Sequence, residues 1–563
     1  MKIFKNLMSL FILLGLLSSS VFALHPADLY NRGGSGKNGV VAAAKPEVSQ
    51  IGIDILKKGG NAVDAAIATA FAISIFEPNA SGLGGGGFML IRMAKTGKTI
   101  VIDYREMAPS KATPDMFVID EKGNVVDDEI TIGGKASGVP GTVAGLLTAL
   151  EKYGTMSRAA IMAPAIKYAR EGIPVTANLE SIIKENFDKI AKYEETSKIY
   201  LKDGLPYEAG DVIKNPDLAK TLEKIAKGGK KAFYEGEIAE KIAAEIQKQK
   251  GLITVEDLKN YKVEIREPVE GTYRGYTIIS CPPASSGGTH IIELLNMVEN
   301  YDIKKLGDNT AESWHVWAEA MRQMYADRSE YMGDTGFVKV PLKGLTSKEY
   351  AKELVKKIDL SKPGTDITFG DANKYESGST THFSVMDKFG NMVAVTQTIN
   401  YFFGSGVTVP GTGILMNNEM DDFVTQKDKK NSIEGGKRPL SSMSPTLVID
   451  PQKRPFMTLG SPGATRIMPA VALTISNVID HGMDIQTAIT APRITQFQSG
   501  QLQIEGRVSI EALKKLQEMG HDTNVRAAYD NYFGGVQGIL FDYKTKTLFG
   551  GGDPRRDGKA AGF

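Results

Sequence analysis

The chain has 563 residues, 42% of them hydrophobic and 24% charged, an ordinary globular composition that excludes a disordered, collagen-like or coiled-coil protein. Lys and Arg number 67 against 66 Asp and Glu, and a net charge of +1 leaves no basic footprint for nucleic acid. One cysteine, Cys281, excludes an internal disulfide and a Cys-built zinc site, and the six histidines show no HExxH or HxH spacing, so no metal is expected.

The N-terminus reads MKIFKNLMSLFILLGLLSSSVFA. Lys2 and Lys5 give a positive start, Leu7 to Leu17 a short apolar run, and Val21-Phe22-Ala23 a small-residue cleavage site. This pattern predicts a secretory signal peptide over residues 1–23, too short for a membrane span. The competing reading is an uncleaved N-terminal anchor. No cysteine follows the apolar run, so a lipoprotein anchor is excluded. A secreted or periplasmic protein is expected, with no stable membrane anchor and with stability drawn from core burial.

Strand and helix signals alternate over 38–110. Val40 to Ala44 is strand-like, and Pro46 opens a helix with Ile51, Ile55 and Leu56 at helical spacing. Gly59-Gly60 stops it, and Asn61 caps a helix over 62–76 that is apolar nearly all round and belongs between layers. A glycine-rich loop (82–87) and strands at 88–93 and 99–104 follow. Residues 140–260 read as amphipathic helices, and 262–281 return to strands. Helices are predicted at 289–300 and 311–330, then a loop-rich stretch over 331–378. Strands 383–387 and 392–399 flank a turn at 388–391, and 444–450 pairs with 455–461. Helices at 468–479 and 484–490 and strands at 536–542 and 546–549 close the chain. Strand pairs followed by helices in both halves suggest packed sheets covered by helices.

Five stretches carry candidate chemistry. GLGGGG (Gly82 to Gly87) matches G-x-G-x-x-G in form but follows a helix and enters a strand, the reverse of a dinucleotide site. Close backbone approach is the better reading. Arg105, at a strand end, either forms a surface ion pair or holds a carboxylate through two parallel hydrogen bonds. Ser379-Thr380-Thr381-His382 is an ordinary Thr-rich strand unless the chain breaks before Thr380. Then the new α-amine, with a pKa of about 7.7–8.0, serves as base to the threonine hydroxyl. Ser441-Ser442 are turn formers or a pair of hydroxyls for one anion. Gly460-Ser461-Pro462-Gly463-Ala464 offers backbone N–H groups for an oxyanion.

The order of these motifs closely resembles the γ-glutamyltransferase (γ-glutamyltranspeptidase) family of N-terminal-nucleophile hydrolases, of bacterial type. The resemblance covers nearly the whole chain after residue 23. It rests on GNAVDAAIATAF (60–71), GLGGGGFM (82–89), DYREMAP (103–109), PPASSGGTH (282–290), YADRSEYMGD (325–334), STTHFSV (379–385), NNEMDDF (417–423), KRPLSSMSPT (437–446) and GSPGATR (460–466).

The resemblance implies an α+β fold, a four-layer αββα sandwich shared by two subunits cut from one chain. The large subunit would span 24–379 and the small catalytic subunit 380–563. The precursor would cut itself between Ser379 and Thr380. Thr380 would be the nucleophile both in self-cleavage and in catalysis, with Thr398 hydrogen-bonded to it. Arg105, Ser441 and Ser442 would hold the substrate α-carboxylate, and Asn400, Glu419 and Asp422 its α-amino group. The N–H groups of Gly463 and Ala464 would form the oxyanion hole.

The implied activity is cleavage of γ-glutamyl amides such as glutathione or glutamine, with transfer to water or to an amino-acid or peptide acceptor. No cofactor is required. The alternatives are a glutaryl-cephalosporin-type acylase on the same fold, or a non-catalytic relative that binds amino acids or peptides. Two departures stand out. Ala464 replaces a glycine frequent in the family, and the stretch Val424 to Gly436 is short, lysine-rich and without an aromatic residue, which implies a missing lid.

Overall fold

The computed structural model describes residues 31–365, 367 and 379–563. The expected signal peptide and the end of the loop-rich stretch before Ser379 lie outside the described residues. The chain opens with β1 (Gly34–Gly36), β2 (Gly39–Ala43), α1 (Pro46–Lys57) and α2 (Ala62–Phe76). Pro46 stands in the first turn of α1, where its missing N–H leaves no bond unmade. Asn61 caps α2. Its side-chain oxygen accepts the N–H groups of Val63 (2.8 Å) and Asp64 (3.0 Å), and the Asp64 carboxylate accepts the Asn61 N–H (2.9 Å). Every residue of α2 is buried, and the helix lies between a sheet and further helices, as an all-apolar helix must.

Twelve more strands complete two sheets. They are β3 (Gly86–Arg92), β4 (Thr99–Asp103), β5 (Glu264–Arg266), β6 (Val269–Tyr273), β7 (Tyr276–Ser280) and β8 (Ser379–Asp387). After them come β9 (Met392–Asn400), β10 (Thr446–Ile449), β11 (Pro455–Gly460), β12 (Gln537–Asp542), β13 (Thr547–Gly552) and β14 (Lys559–Gly562). The first sheet runs β14-β2-β8-β9-β3-β4-β5 and the second β1-β13-β12-β11-β10-β7-β6. Neighbours are antiparallel throughout both sheets. Strands from both sides of Ser379 share each sheet, so the two expected subunits interleave in one fold.

Side-chain alternation along β8 sets the layers. Phe383 and Val385 join the core that α1, α2 and the helices of 142–259 build on the outside of the first sheet. His382 and Ser384 point the other way, toward Gly460 of β11 and the Gln537 carbonyl of β12. Beyond the second sheet lie α3 (Gly287–Val298), α4 (Ala311–Tyr331) and α5 (Ile467–Ile479), which share a core with Leu447 and Leu459. The order helix, sheet, sheet, helix is the expected αββα sandwich. Each large apolar side chain fully buried in it contributes roughly 1.5–3 kcal/mol.

The stretch expected to be loop-rich holds two short helices, Leu342–Leu345 and Lys348–Val355. The C-terminal region adds a small sheet (Ile494–Thr495, Leu502–Glu505, Thr523–Arg526) and a helix, Ile510–Glu518. The last strand, β14, reads KAAG and has no strand signal of its own. It becomes an edge of the first sheet by pairing with β2, Val41 opposite Ala561. Among the described residues no helix is long and apolar enough to cross a membrane.

Candidate active site

Thr380 stands one residue into β8, and the β8–β9 hairpin places it opposite Thr398. Their hydroxyl oxygens are 3.4 Å apart, and Thr398 Oγ1 also accepts the Asn400 N–H at 2.7 Å. The pairing register shifts between Ser379 and Thr380. β2 pairs with β8 only from Ser384 onward. The glycine-rich loop walls this corner. A Cβ on Gly85 would stand 1.9 Å from the Thr398 carbonyl oxygen and one on Gly84 2.2 Å from that of Leu415. Close backbone approach therefore explains the glycines.

His382, on the same face of β8 as Thr380, is bound elsewhere. Its ring nitrogens lie 2.8 Å from Thr396 Oγ1 and 3.1 Å from Ser384 Oγ, and a Cβ on Gly460 would press on the ring. Burial pulls its pKa down to about 3, so it is neutral. It is a packed spacer between the sheets, with no bond to Thr380.

A charged cluster lies on the other side of Thr398. Arg105 follows β4, and its N–H is fixed by Asp103 at 3.0 Å. Glu419 and Asp422 sit on one 3₁₀ turn, Glu419–Asp422, where a spacing of three puts both on one face. Arg105 Nη1 donates to Glu419 at 2.6 Å, Nη2 to Asp422, and Nε to the Pro439 carbonyl at 3.3 Å. Burial alone would lower the Arg105 pKa, but the carboxylates outweigh it and raise it. Burial raises the Glu419 carboxyl well above its usual range, against the pull of Arg105. Asn400 adopts a left-handed φ of 71° and donates from Nδ2 to the Asn418 carbonyl at 3.1 Å, next to Glu419.

Glu106 is a member of this cluster that sequence reasoning did not single out. It is fully buried, neither carboxyl oxygen has a hydrogen-bond partner, and it lies 3.5 Å from Arg105 Nη1. Burial pushes its pKa up to about 8. Its signal was present in DYREMAP: a second charge beside Arg105 at a strand end.

Pro439 leads into the serine pair. Ser441 Oγ accepts the Met443 N–H at 3.1 Å, and Ser442 Oγ accepts from Arg328 Nη2 at 3.1 Å. Arg328 and Ser286 are further site residues without an earlier assignment, although YADRSEYMGD and PPASSGGTH contain them. Arg328 Nε donates to Ser286 Oγ at 3.0 Å.

The loop after β11 holds Gly463 at φ 126° and Ala464 at φ 51°. Gly463 needs to be glycine, since an added Cβ would lie 3.1 Å from Gly534 Cα in a backbone region closed to other residues. Ala464 keeps its N–H but sits in the left-handed region, which costs roughly 1–2 kcal/mol for an L residue.

Contacts thus run from Thr380 to Thr398, Asn400, Asn418 and its neighbour Glu419, then Arg105 and Pro439, two residues from Ser441. Gly463 and Ala464 follow Gly460, the end of β11, which packs on His382. Among the described residues no three His, Cys, Asp or Glu side chains form a group able to hold a metal.

Comparison with known proteins identifies the family. The family model described as gamma-glutamyltranspeptidase matches residues 48–563. The "Glutathione hydrolase proenzyme" of Escherichia coli strain K12 is 46% identical, covering 94% of this chain and 92% of its own length. The protein of the same name from Bacillus subtilis strain 168 is 40% identical over 95% and 93%. A cephalosporin acylase from Bacillus halodurans has the same fold, with a TM-score of 0.85 at 32% identity over 94% and 97% of the two chains. Matched by that family model over residues 48–563 and 40–46% identical to these two relatives over more than nine-tenths of its length, the chain belongs to the gamma-glutamyltranspeptidase family.

Proposed function

We propose that the chain cuts itself before Thr380 and then cleaves γ-glutamyl amides such as glutathione or glutamine through a γ-glutamyl ester on Thr380. The observation that carries this reading is the chain of contacts joining the Thr380–Thr398 pair to Arg105 between Glu419 and Asp422. A γ-glutamyl group carries an ammonium and a carboxylate on one carbon and the reacting amide three carbons away. Its carboxylate pairs with Arg105, Ser441 and Ser442, and its ammonium with Glu419, Asp422 and Asn400. Arg105 has five N–H groups and uses one on each Nη for the two acids, leaving a second on each. Charges then alternate along the bound substrate, which offsets the cost of desolvating them.

In self-cleavage, Thr380 Oγ attacks the Ser379 carbonyl carbon, the peptide nitrogen leaves with a proton, and water hydrolyses the resulting ester. This yields subunits 24–379 and 380–563 and frees the Thr380 amine. In turnover that amine takes the hydroxyl proton as Oγ attacks the γ-carbonyl carbon. Thr398 steadies the hydroxyl, and the N–H groups of Gly463 and Ala464 face the oxyanion. The amine of the substrate leaves protonated, and the ester passes to water or to the amine of an amino acid or peptide. Export directed by residues 1–23 places this reaction outside the cytoplasm.

The acylase fold match keeps a second reading in view, since a glutaryl substrate lacks the α-amino group. Asn400, Glu419 and Asp422 together favour the γ-glutamyl group. The test is hydrolysis of γ-glutamyl and glutaryl anilides by the processed protein. A clear preference for the glutaryl compound overturns the assignment, and absence of turnover with either compound favours a binding role.

A further inference from the structure

We propose that Arg328 is the positioning residue of the serine pair that receives the substrate α-carboxylate. The proposal rests on the carboxylate role given above to Ser441 and Ser442. Arg328 lies near the C-terminal end of α4, whose neighbouring Asp327 is held by the Tyr350 hydroxyl at 2.7 Å. Its Nη2 donates to Ser442 Oγ (3.1 Å) and its Nε to Ser286 Oγ (3.0 Å). Ser286 extends this grip: its hydroxyl and its N–H both donate to the Ser441 carbonyl, each at 2.8 Å. One guanidinium therefore reaches both members of the pair, Ser442 directly at its hydroxyl and Ser441 through Ser286 at its backbone carbonyl.

The consequence is a matter of hydrogen-bond polarity. A hydroxyl has one proton to give and two lone pairs to receive. With an N–H of Arg328 on its oxygen, Ser442 turns its own proton away from the cation. Ser441 Oγ likewise accepts the Met443 N–H. Both hydroxyls are thereby set as donors, the role a carboxylate needs. Arg328 is a fixed fork with two donors at different nitrogens, and a lysine ammonium cannot span the same two oxygens in that geometry.

The test compares wild type, Ser441→Ala, Ser442→Ala, Arg328→Lys and Arg328→Gln after self-cleavage. Substrates are a γ-glutamyl anilide and a γ-aminobutyryl anilide, which lacks only the α-carboxylate. Both Arg328 variants should raise KM for the γ-glutamyl anilide about tenfold, the scale of a hydrogen bond to a charged group, with kcat within about twofold. Their kcat/KM for the γ-aminobutyryl anilide should not change. Arg328→Lys should cost less in the Ser442→Ala background than alone. Equal losses on both anilides mark a general structural role and overturn the proposal, as does failure of both Arg328 variants to self-cleave. If Ser441→Ala and Ser442→Ala leave KM unchanged, the carboxylate pocket is wrong and the proposal falls with it. If those variants raise KM and the Arg328 variants do not, the pocket stands and the proposal alone falls.

Discussion

Thr380 faces Thr398 across the β8–β9 pair with their hydroxyl oxygens 3.4 Å apart, and the register of that pair slips between Ser379 and Thr380. The slip leaves Ile399 of β9 without a partner on β8, which interrupts the ladder at that point. The bond expected to break is therefore where the ladder is interrupted. We expect purified protein to give two fragments, the smaller beginning at Thr380, and Thr380→Ala to remain one chain. Thr398→Ala should slow self-cleavage about threefold to tenfold, the worth of one neutral hydrogen bond. Intact mass and N-terminal sequencing check this, and a small fragment with any other first residue contradicts it.

Arg105→Lys removes the planar fork shared by Glu419 and Asp422. Binding of γ-glutamyl substrates should weaken by about 1.5–3 kcal/mol while self-cleavage, which involves no glutamyl group, continues. Buried Glu419 left without its full partner also lowers stability, so the thermal midpoint should fall together with affinity. An unchanged KM in processed Arg105→Lys removes the carboxylate assignment.

Ala464 occupies a φ of 51°, where glycine carries no steric cost. Ala464→Gly should raise stability by up to about 1 kcal/mol, because relief of strain exceeds the added backbone entropy of glycine. The N–H is retained, so kcat should stay within a few-fold. Ala464→Val, a β-branched residue in the same region, should lose both stability and activity. Denaturant midpoints and kcat for the two variants decide this, and a stable, active Ala464→Val protein shows that the loop has another conformation.

Buried neutral histidines tie stability to pH. His382 has a folded pKa of about 3 against an unfolded value of about 6.5. Between these values the unfolded chain binds a proton that the folded one refuses. The stabilisation is full above pH about 6.5 and is lost as pH falls toward 3, at about 1.4 kcal/mol per pH unit. His382→Gln should take up about one proton fewer on unfolding at pH 5. Equal uptake by the two proteins means that His382 is charged in the fold.

The segment between Phe423 and Lys437 has no aromatic residue and exposes its turn at 426–429. Two residues within it are tethered, Asn431 to the Asp422 carbonyl at 2.6 Å and Lys427 to Asp115 at 2.8 Å. We expect the pocket to accept bulky groups on the γ-amide, including γ-linked glutamate oligomers. Comparing kcat/KM for such an oligomer and a small γ-glutamyl anilide tests this. A hundredfold rejection of the oligomer, about 2.7 kcal/mol, removes the open-pocket reading.

Local signals were legible where local physics decides. Helix α2 runs from Ala62 to Phe76 as read from the sequence, because capping by Asn61 and all-round apolarity are properties of adjacent residues. The β8–β9 hairpin was legible through its turn at 388–391. β14 was not, because a KAAG strand exists only through its partner β2.

The sequence by itself determined the chemistry on offer: a threonine able to become N-terminal, an arginine at a strand end, an acidic turn, a serine pair and a glycine-rich loop, in family order. Only the tertiary structure decided how these meet. Arg105 and Glu419 are 314 positions apart and bonded, Arg328 reaches a serine 114 positions away, and His382 is held by Thr396 and Ser384 and not by Thr380. Periodicity and capping act over a few residues and can be read along the chain. Partners of buried polar groups are chosen by strand register and by the packing of one sheet on the other, which no single segment encodes.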